Sequence, residues 1–157
     1  MTKICCFTGH RTIKNLPPIE VLNKLKKVLV DLIENEGFCD FRTGGAIGFD
    51  TMAALTILEL KKKYPHIKLH LFLPYKAQDS YFTPQEKQVY HYTIACADSV
   101  TYTQNSFSKE ALFARNRALV DGTDLCVAYL ERLDGGTYYT VNYARKQRVN
   151  TINLFKS

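Results

Sequence analysis

The sequence predicts an α/β fold in three layers, α/β/α, around a mostly parallel sheet of about six strands. Two observations predict it. Strand-like and helix-like segments alternate along all 157 residues, as in βα units whose strands run parallel and whose helices cover both faces of the sheet. In addition, an apolar strand passes into an apolar helix through Thr43-Gly44-Gly45-Ala46-Ile47-Gly48-Phe49-Asp50. A turn this rich in glycine lets backbone amides approach an anion at the positive end of a helix dipole, or simply bends sharply and packs closely.

The elements follow in order. Lys3–Thr8 is a short apolar run that stops at Gly9, and Phe38–Thr43 follows Gly37 into the glycine turn. Both read as central strands. Between them Leu22, Leu25, Leu29, Leu32 and Ile33 recur at helical spacing, with Lys24, Lys27, Asp31 and Glu34 opposite, so this helix lies on the sheet by one face. After the turn, residues 52–60 are apolar nearly all round, which predicts a deeply buried helix. Lys68–Leu73 is a third strand, ended by Pro74. Thr83-Pro84-Gln85-Glu86 spells a capping box with proline at the first helical position, opening a helix to about Cys96. Ser99–Thr103, Asp124–Leu130 and Thr151–Phe155 complete six strands, rich in Val, Tyr, Thr or Leu. Two further helices are predicted, from about Ser108 to Val120 and from about Thr140 to Gln147.

One domain of 157 residues is long enough to bury a core without disulfides or metals, and no linker, repeat or low-complexity stretch divides it. Its net charge of +6 favours anionic partners without choosing between a mononucleotide and DNA. The run Lys61-Lys62-Lys63 falls at a helix C-terminus and reads as a solvated end. Five cysteines without CxxC spacing argue against a disulfide framework and a zinc site, and for a cytoplasmic protein. Cys5, Cys6, Cys39 and Cys126 are expected as buried apolar strand residues. No stretch suits a membrane span or a signal peptide, and nothing calls for a cofactor or a metal.

In such a sheet ligands collect at the carboxyl ends of the strands, where the strand order reverses. That rule selects the loops after each strand. Thr8, Gly9, His10 and Arg11 bring a hydroxyl, a hinge, an imidazole and a guanidinium to the tip of the first strand. Arg11 is suited to a two-pronged grip on phosphate, and His10 reads as a binding residue. Gly44, Gly45 and Gly48 belong to the turn. Asp50 either caps the following helix or receives ribose hydroxyls or activates water, the one candidate catalytic group if the protein is an enzyme. Tyr75 after Pro74 either stacks on a base or packs. In Arg115-Asn116-Arg117 the two arginines cannot face the same way, so one is solvated; Asn116 and Arg117 either reach the crevice or pair with surface acids, and Arg115 and Asn116 are taken as candidate binding residues. Gly135, Gly136 and Thr137 form a second glycine bend near the end of the chain.

Taken in order, Thr8-Gly9-His10-Arg11, Gly44 to Asp50, Arg115-Asn116-Arg117 with Val120-Asp121 and Asp124, and Gly135-Gly136-Thr137 with Tyr143-Ala144 resemble the YpsA-like proteins. These are a branch of the SLOG superfamily that also holds the Lonely Guy phosphoribohydrolases and the DNA-processing protein A group. The resemblance covers nearly the whole chain. It implies a Rossmann-like fold, self-association such as a homodimer, and binding of a nucleotide or nucleotide-derived small molecule, without implying a reaction. Lonely Guy enzymes carry Pro-Gly-Gly-x-Gly-Thr-x-x-Glu; here Tyr138 stands at the third glycine and Asn142 at the glutamate, which departs from their chemistry. The DNA-processing group shares Gly-x-x-x-Gly-x-Asp, matched by Gly44 to Asp50. The expected function is therefore a nucleotide sensor whose glycine turns cradle phosphate, with Arg11 supplying charge and Asp50 fixing ribose. A nucleotide N-glycosidase and a single-stranded DNA-binding protein are the alternatives.

Overall fold

A computed structural model of the chain describes residues 2–156. Six strands carry the alternation: β1 (Lys3–Gly9), β2 (Phe38–Thr43), β3 (Lys68–Leu73), β4 (Ser99–Tyr102), β5 (Leu125–Tyr129) and β6 (Asn150–Asn153). They form one sheet in the order β4-β3-β2-β1-β5-β6, and every neighbouring pair is parallel. The connections are helices α1 (Pro18–Glu34), α2 (Phe49–Lys63), α3 (Pro84–Cys96), α4 (Lys109–Val120) and α5 (Gly135–Lys146). The chain therefore steps outward from β1 to β4, then returns to lay β5 on the other side of β1. The strand order reverses at the β1–β5 seam, where Gly9 lies in register with Tyr129.

Alternation within β1 divides the core. Cys5 and Phe7 face the larger apolar cluster with Leu25, Leu29, Phe41, Phe49, Ile57 and Leu71, under α1 and α2. Cys6 faces the opposite side with Leu119, Val120, Cys126 and Ala144, under α4 and α5. Two short 3₁₀ segments, Lys76–Tyr81 and Leu154–Lys156, were not expected, and the second takes the end of the predicted sixth strand. Leu154 is fully buried in the larger cluster. The capping box forms as predicted: Glu86 N donates to Thr83 Oγ1 at 3.2 Å, and Thr83 N donates to Glu86 Oε1 at 2.9 Å. Arg42 fixes the end of α4, its Nη1 donating to the carbonyls of Ala118, Leu119 and Asp121.

Two boundaries need correction. Helix α5 begins at Gly135 rather than near Thr140, so the second glycine bend is itself the first helical turn. Asp50 is not the cap of α2; Gly48 is, and Asp50 lies inside the first turn. Of the four strand cysteines expected to be buried, Cys39 is only half-buried. No helix among the described residues is long and apolar enough to cross a membrane.

Candidate functional site

At the β1–β5 seam the carboxyl ends of the strands open into a cleft of about 430 Å³, a size that suits a small ligand. Thr8 and Gly9 from the end of β1, His10 and Arg11 from the loop after it, Asp50 from α2, Arg115 and Asn116 from α4, and Gly135, Gly136 and Thr137 from α5 all line it. Four segments far apart in sequence thus meet at one place.

The first glycine turn plays a different part from the one expected. Gly44 leaves room for a side chain from α4: a Cβ there would lie 2.6 Å from Arg115 Nη1 and 2.9 Å from Asp50 Oδ2. Arg115 is only 8% exposed. Its Nη1 donates to the carbonyl of Gly44 and, at 3.5 Å, to that of Phe72, while Nε donates to Asn116 Oδ1 at 2.9 Å. Nη2 has no hydrogen-bond partner among the described residues. Gly45 abuts Leu73, and its carbonyl accepts from Gln78 Nε2 at 3.2 Å. Gly48, at φ 85°, presses on the Arg11 backbone. The turn's compactness thus seats an arginine and the chain's own backbone, and Gly44, Gly45 and Gly48 are absent from the cleft wall. Tyr75 is absent as well, its ring packed edge-on against Phe107 with centroids 5.7 Å apart.

Asp50 shares this interior with Arg115. Burial pushes its carboxyl up from 3.8 to about 6, against the opposing pull of Arg115, the Ala46 amide and Arg11. The Ala46 N–H donates to Oδ2 at 3.3 Å, and Oδ1 has no partner among the described residues. Because the folded-state value lies above the ordinary one, the folded protein binds the proton more tightly, and stability is lost as pH rises from about 4 through 6. A displacement of this size corresponds to about 3 kcal/mol. Urea unfolding across pH 4–7 should show that decline in the wild type and a flatter profile in Asp50→Asn; equal slopes would contradict the assignment.

The other half of the cleft is cationic. His10 is buried, and its Nε2 accepts from the Glu131 N–H at 3.0 Å, which leaves the proton on Nδ1. Burial, then Arg132, lowers its pKa, so the ring is neutral at pH 7. Glu131 pins the facing loop by accepting from Lys14 N at 2.7 Å, Asn15 N at 2.9 Å and Arg132 Nη1 at 2.6 Å. Lys14 and Arg132 are thereby held on the cleft wall. Neither was singled out in the sequence, although Arg132 stands three residues before the second glycine pair. The Arg11 and Lys14 side chains have no hydrogen-bond or ion-pair partner among the described residues. Beside them α5 starts without a side-chain cap, so its first-turn amides face the cleft with donors to spare. Arg117 points away, paired with Glu110 and Tyr139 at the surface.

A larger depression of about 510 Å³, lined by Leu22, Ile47, Met52, Leu55 and Val89 together with Thr51, Thr56, Gln85 and Glu86, has no cationic group. The cationic and titratable groups therefore gather in the cleft at the β1–β5 seam. A parallel sheet whose order reverses beside β1, with a glycine-rich helix start at its carboxyl edge, is a Rossmann-like domain. The chain belongs to the YpsA (YspA SLOG) family, whose match spans residues 5–155. It is 31% identical over 145 residues to the SPbeta prophage-derived protein YoqJ of Bacillus subtilis, covering 85% of each chain. It is 32% identical over 123 residues to the UPF0398 protein BH1768 of Halalkalibacterium halodurans, covering 76% of this chain and 65% of the relative. Among solved structures it is similar to DNA processing protein A of Streptococcus pneumoniae, with a TM-score of 0.69 at 15% identity. The likeness covers 96% of this chain and 49% of that one. The protein of the same name from Helicobacter pylori, whose structure concerns its single-stranded DNA binding mode, gives 0.65 at 16% identity, over 95% of this chain and 63% of that one.

Proposed function

We propose that the cleft binds the phosphate of a nucleotide or nucleotide-derived small molecule, and that the protein acts in the cytoplasm as a sensor of that ligand. One observation carries the reading: the uncapped start of α5 and the unpartnered Arg11 and Lys14 converge on the cleft that also holds Asp50. Anions gain from backbone amides, helix dipole and guanidinium together, each acting in a partly dehydrated space. The phosphate sits on Gly136 and Thr137, and Arg11 closes over it. Asp50 receives the sugar hydroxyls, with Arg115 keeping its charge balanced.

Calorimetry with adenosine 5′-monophosphate tests this. Binding is expected, weakened about tenfold or more in Arg11→Ala, since a charge-assisted contact contributes roughly 1.5–3 kcal/mol. No heat at millimolar ligand, with the protein folded, would contradict it.

The position of Asp50 also supports a second reading, a nucleotide N-glycosidase. A carboxyl poised at about 6 inside a ligand-sized cleft suits proton transfer or the orientation of water. Asp50→Asn would then abolish release of free base while leaving binding largely intact. Absence of base release by the wild type removes this option.

A further inference from the structure

The cleft does not end at Gly135. On the outer side of α5 the same glycine borders a second hollow of about 330 Å³, lined further by Tyr138, Tyr139, Asn142, Tyr143 and Lys146. We infer that this hollow is a second base subsite, which takes the aromatic ring of a nucleobase joined through the phosphate held in the cleft. The ligand class is then a dinucleotide rather than a mononucleotide. This rests on the phosphate reading above.

Three features support that occupant. First, the hollow is aromatic and already rigid. The Tyr139 and Tyr143 rings stack with centroids 6.5 Å apart and 10° between planes, and Tyr139 packs on Phe113 at 4.5 Å. Their hydroxyls are held: Arg117 Nη1 donates to Tyr139 Oη at 3.0 Å, and Tyr143 Oη donates to Asp121 Oδ1 at 2.6 Å. Rings fixed in advance lose little freedom when a base stacks on them. Second, the polar groups are free. The Asn142 amide has no hydrogen-bond partner among the described residues, and it offers both a donor and an acceptor to a base edge. Lys146 also has no partner there, and it brings a cation for the backbone of the ligand. Third, the helical period sets the line of approach. Tyr138, Asn142 and Lys146 stand four residues apart on α5, in a row that starts beside the amides at the cleft.

Calorimetry separates this inference from the phosphate reading. The probes are adenosine 5′-monophosphate and the 5′-phosphorylated dinucleotide of deoxyadenosine, tested against the wild type, Tyr138→Leu and Asn142→Ala/Lys146→Ala. The leucine keeps the apolar contact of Tyr138 with Leu130 and Val141, and the double variant changes the half-buried Asn142 and the exposed Lys146, outside the apolar core. The dinucleotide is expected to bind the wild type about tenfold or more tightly than the monophosphate, the order one base–aromatic stack supplies. Each folded variant is expected to lose most of that gain while holding the monophosphate as the wild type does. Equal affinities for the two probes, or a gain that survives in both variants, overturns the second subsite and leaves the phosphate site standing. Failure of both probes to bind overturns both readings.

Discussion

Replacing Arg115 with methionine is expected to destabilise the folded protein by about 3–5 kcal/mol at pH 8, as removal of one partner from a buried charged pair does. The arginine is almost wholly covered, it donates to the carbonyls of Gly44 and Phe72, and it opposes the burial penalty on Asp50. Methionine fills much of the space but leaves the carbonyls of Gly44 and Phe72 and the Asn116 Oδ1 without their donor, and the Asp50 carboxylate without its neighbouring cation. The loss should depend on pH in a definite direction. Without Arg115 the Asp50 carboxyl moves further up, so protonation relieves more of the damage as pH falls. Urea unfolding should therefore show a smaller difference from the wild type at pH 5 than at pH 8. In the pair Arg115→Met/Asp50→Asn that pH dependence should vanish and part of the stability return. A uniform loss at every pH would mean that Arg115 acts through packing alone.

The second large effect is expected at Gly48. Alanine there must hold φ near 85°, and its Cβ would overlap the Arg11 carbonyl, which is backbone and cannot swing aside. Left-handed geometry and overpacking together are expected to cost about 3 kcal/mol or more. The contact lies where α2 begins and the arm carrying Arg11 crosses it, tied by the Phe49 N–H to the His10 carbonyl at 3.1 Å. Gly48→Ala should thus lower the thermal midpoint and also displace Arg11, weakening nucleotide binding in whatever fraction stays folded. The contrasting substitution is Gly122→Ala. That glycine also has positive φ, but open space surrounds its Cβ position, so strain without overlap should cost clearly less.

Much of the fold was legible because its signals are local. Thr83 and Glu86 announce a helix start three residues apart, and the spacing of Leu25, Leu29 and Leu32 declares the buried face of α1. The start of α5 was hidden because Gly135 and Gly136 have no side chains to display a helical period. At the site, the segments that meet were legible from their place after the strands, but the division of labour among them was not. What fills the space beside Gly44 is Arg115, 71 residues further along, and no spacing rule connects the two. A glycine kept small for a buried arginine looks, in sequence, like a glycine kept small for a phosphate. Lys14 and Arg132 were missed for a related reason. Their positions depend on Glu131 holding a loop from the other end of the chain. Tyr75 follows a strand, as a base-stacking residue would, yet its ring packs edge-on with Phe107 and stays out of the cleft.

Phosphate is expected at the start of α5 rather than in the turn after β2. Amide nitrogen and proton shifts followed during titration with adenosine 5′-monophosphate test it most directly. Saturable shifts are expected at Gly135, Gly136, Thr137 and Arg11, with Gly45 and Ile47 nearly unmoved. Shifts concentrated at residues 44–48, or none at the first turn of α5 at saturating ligand, would contradict it.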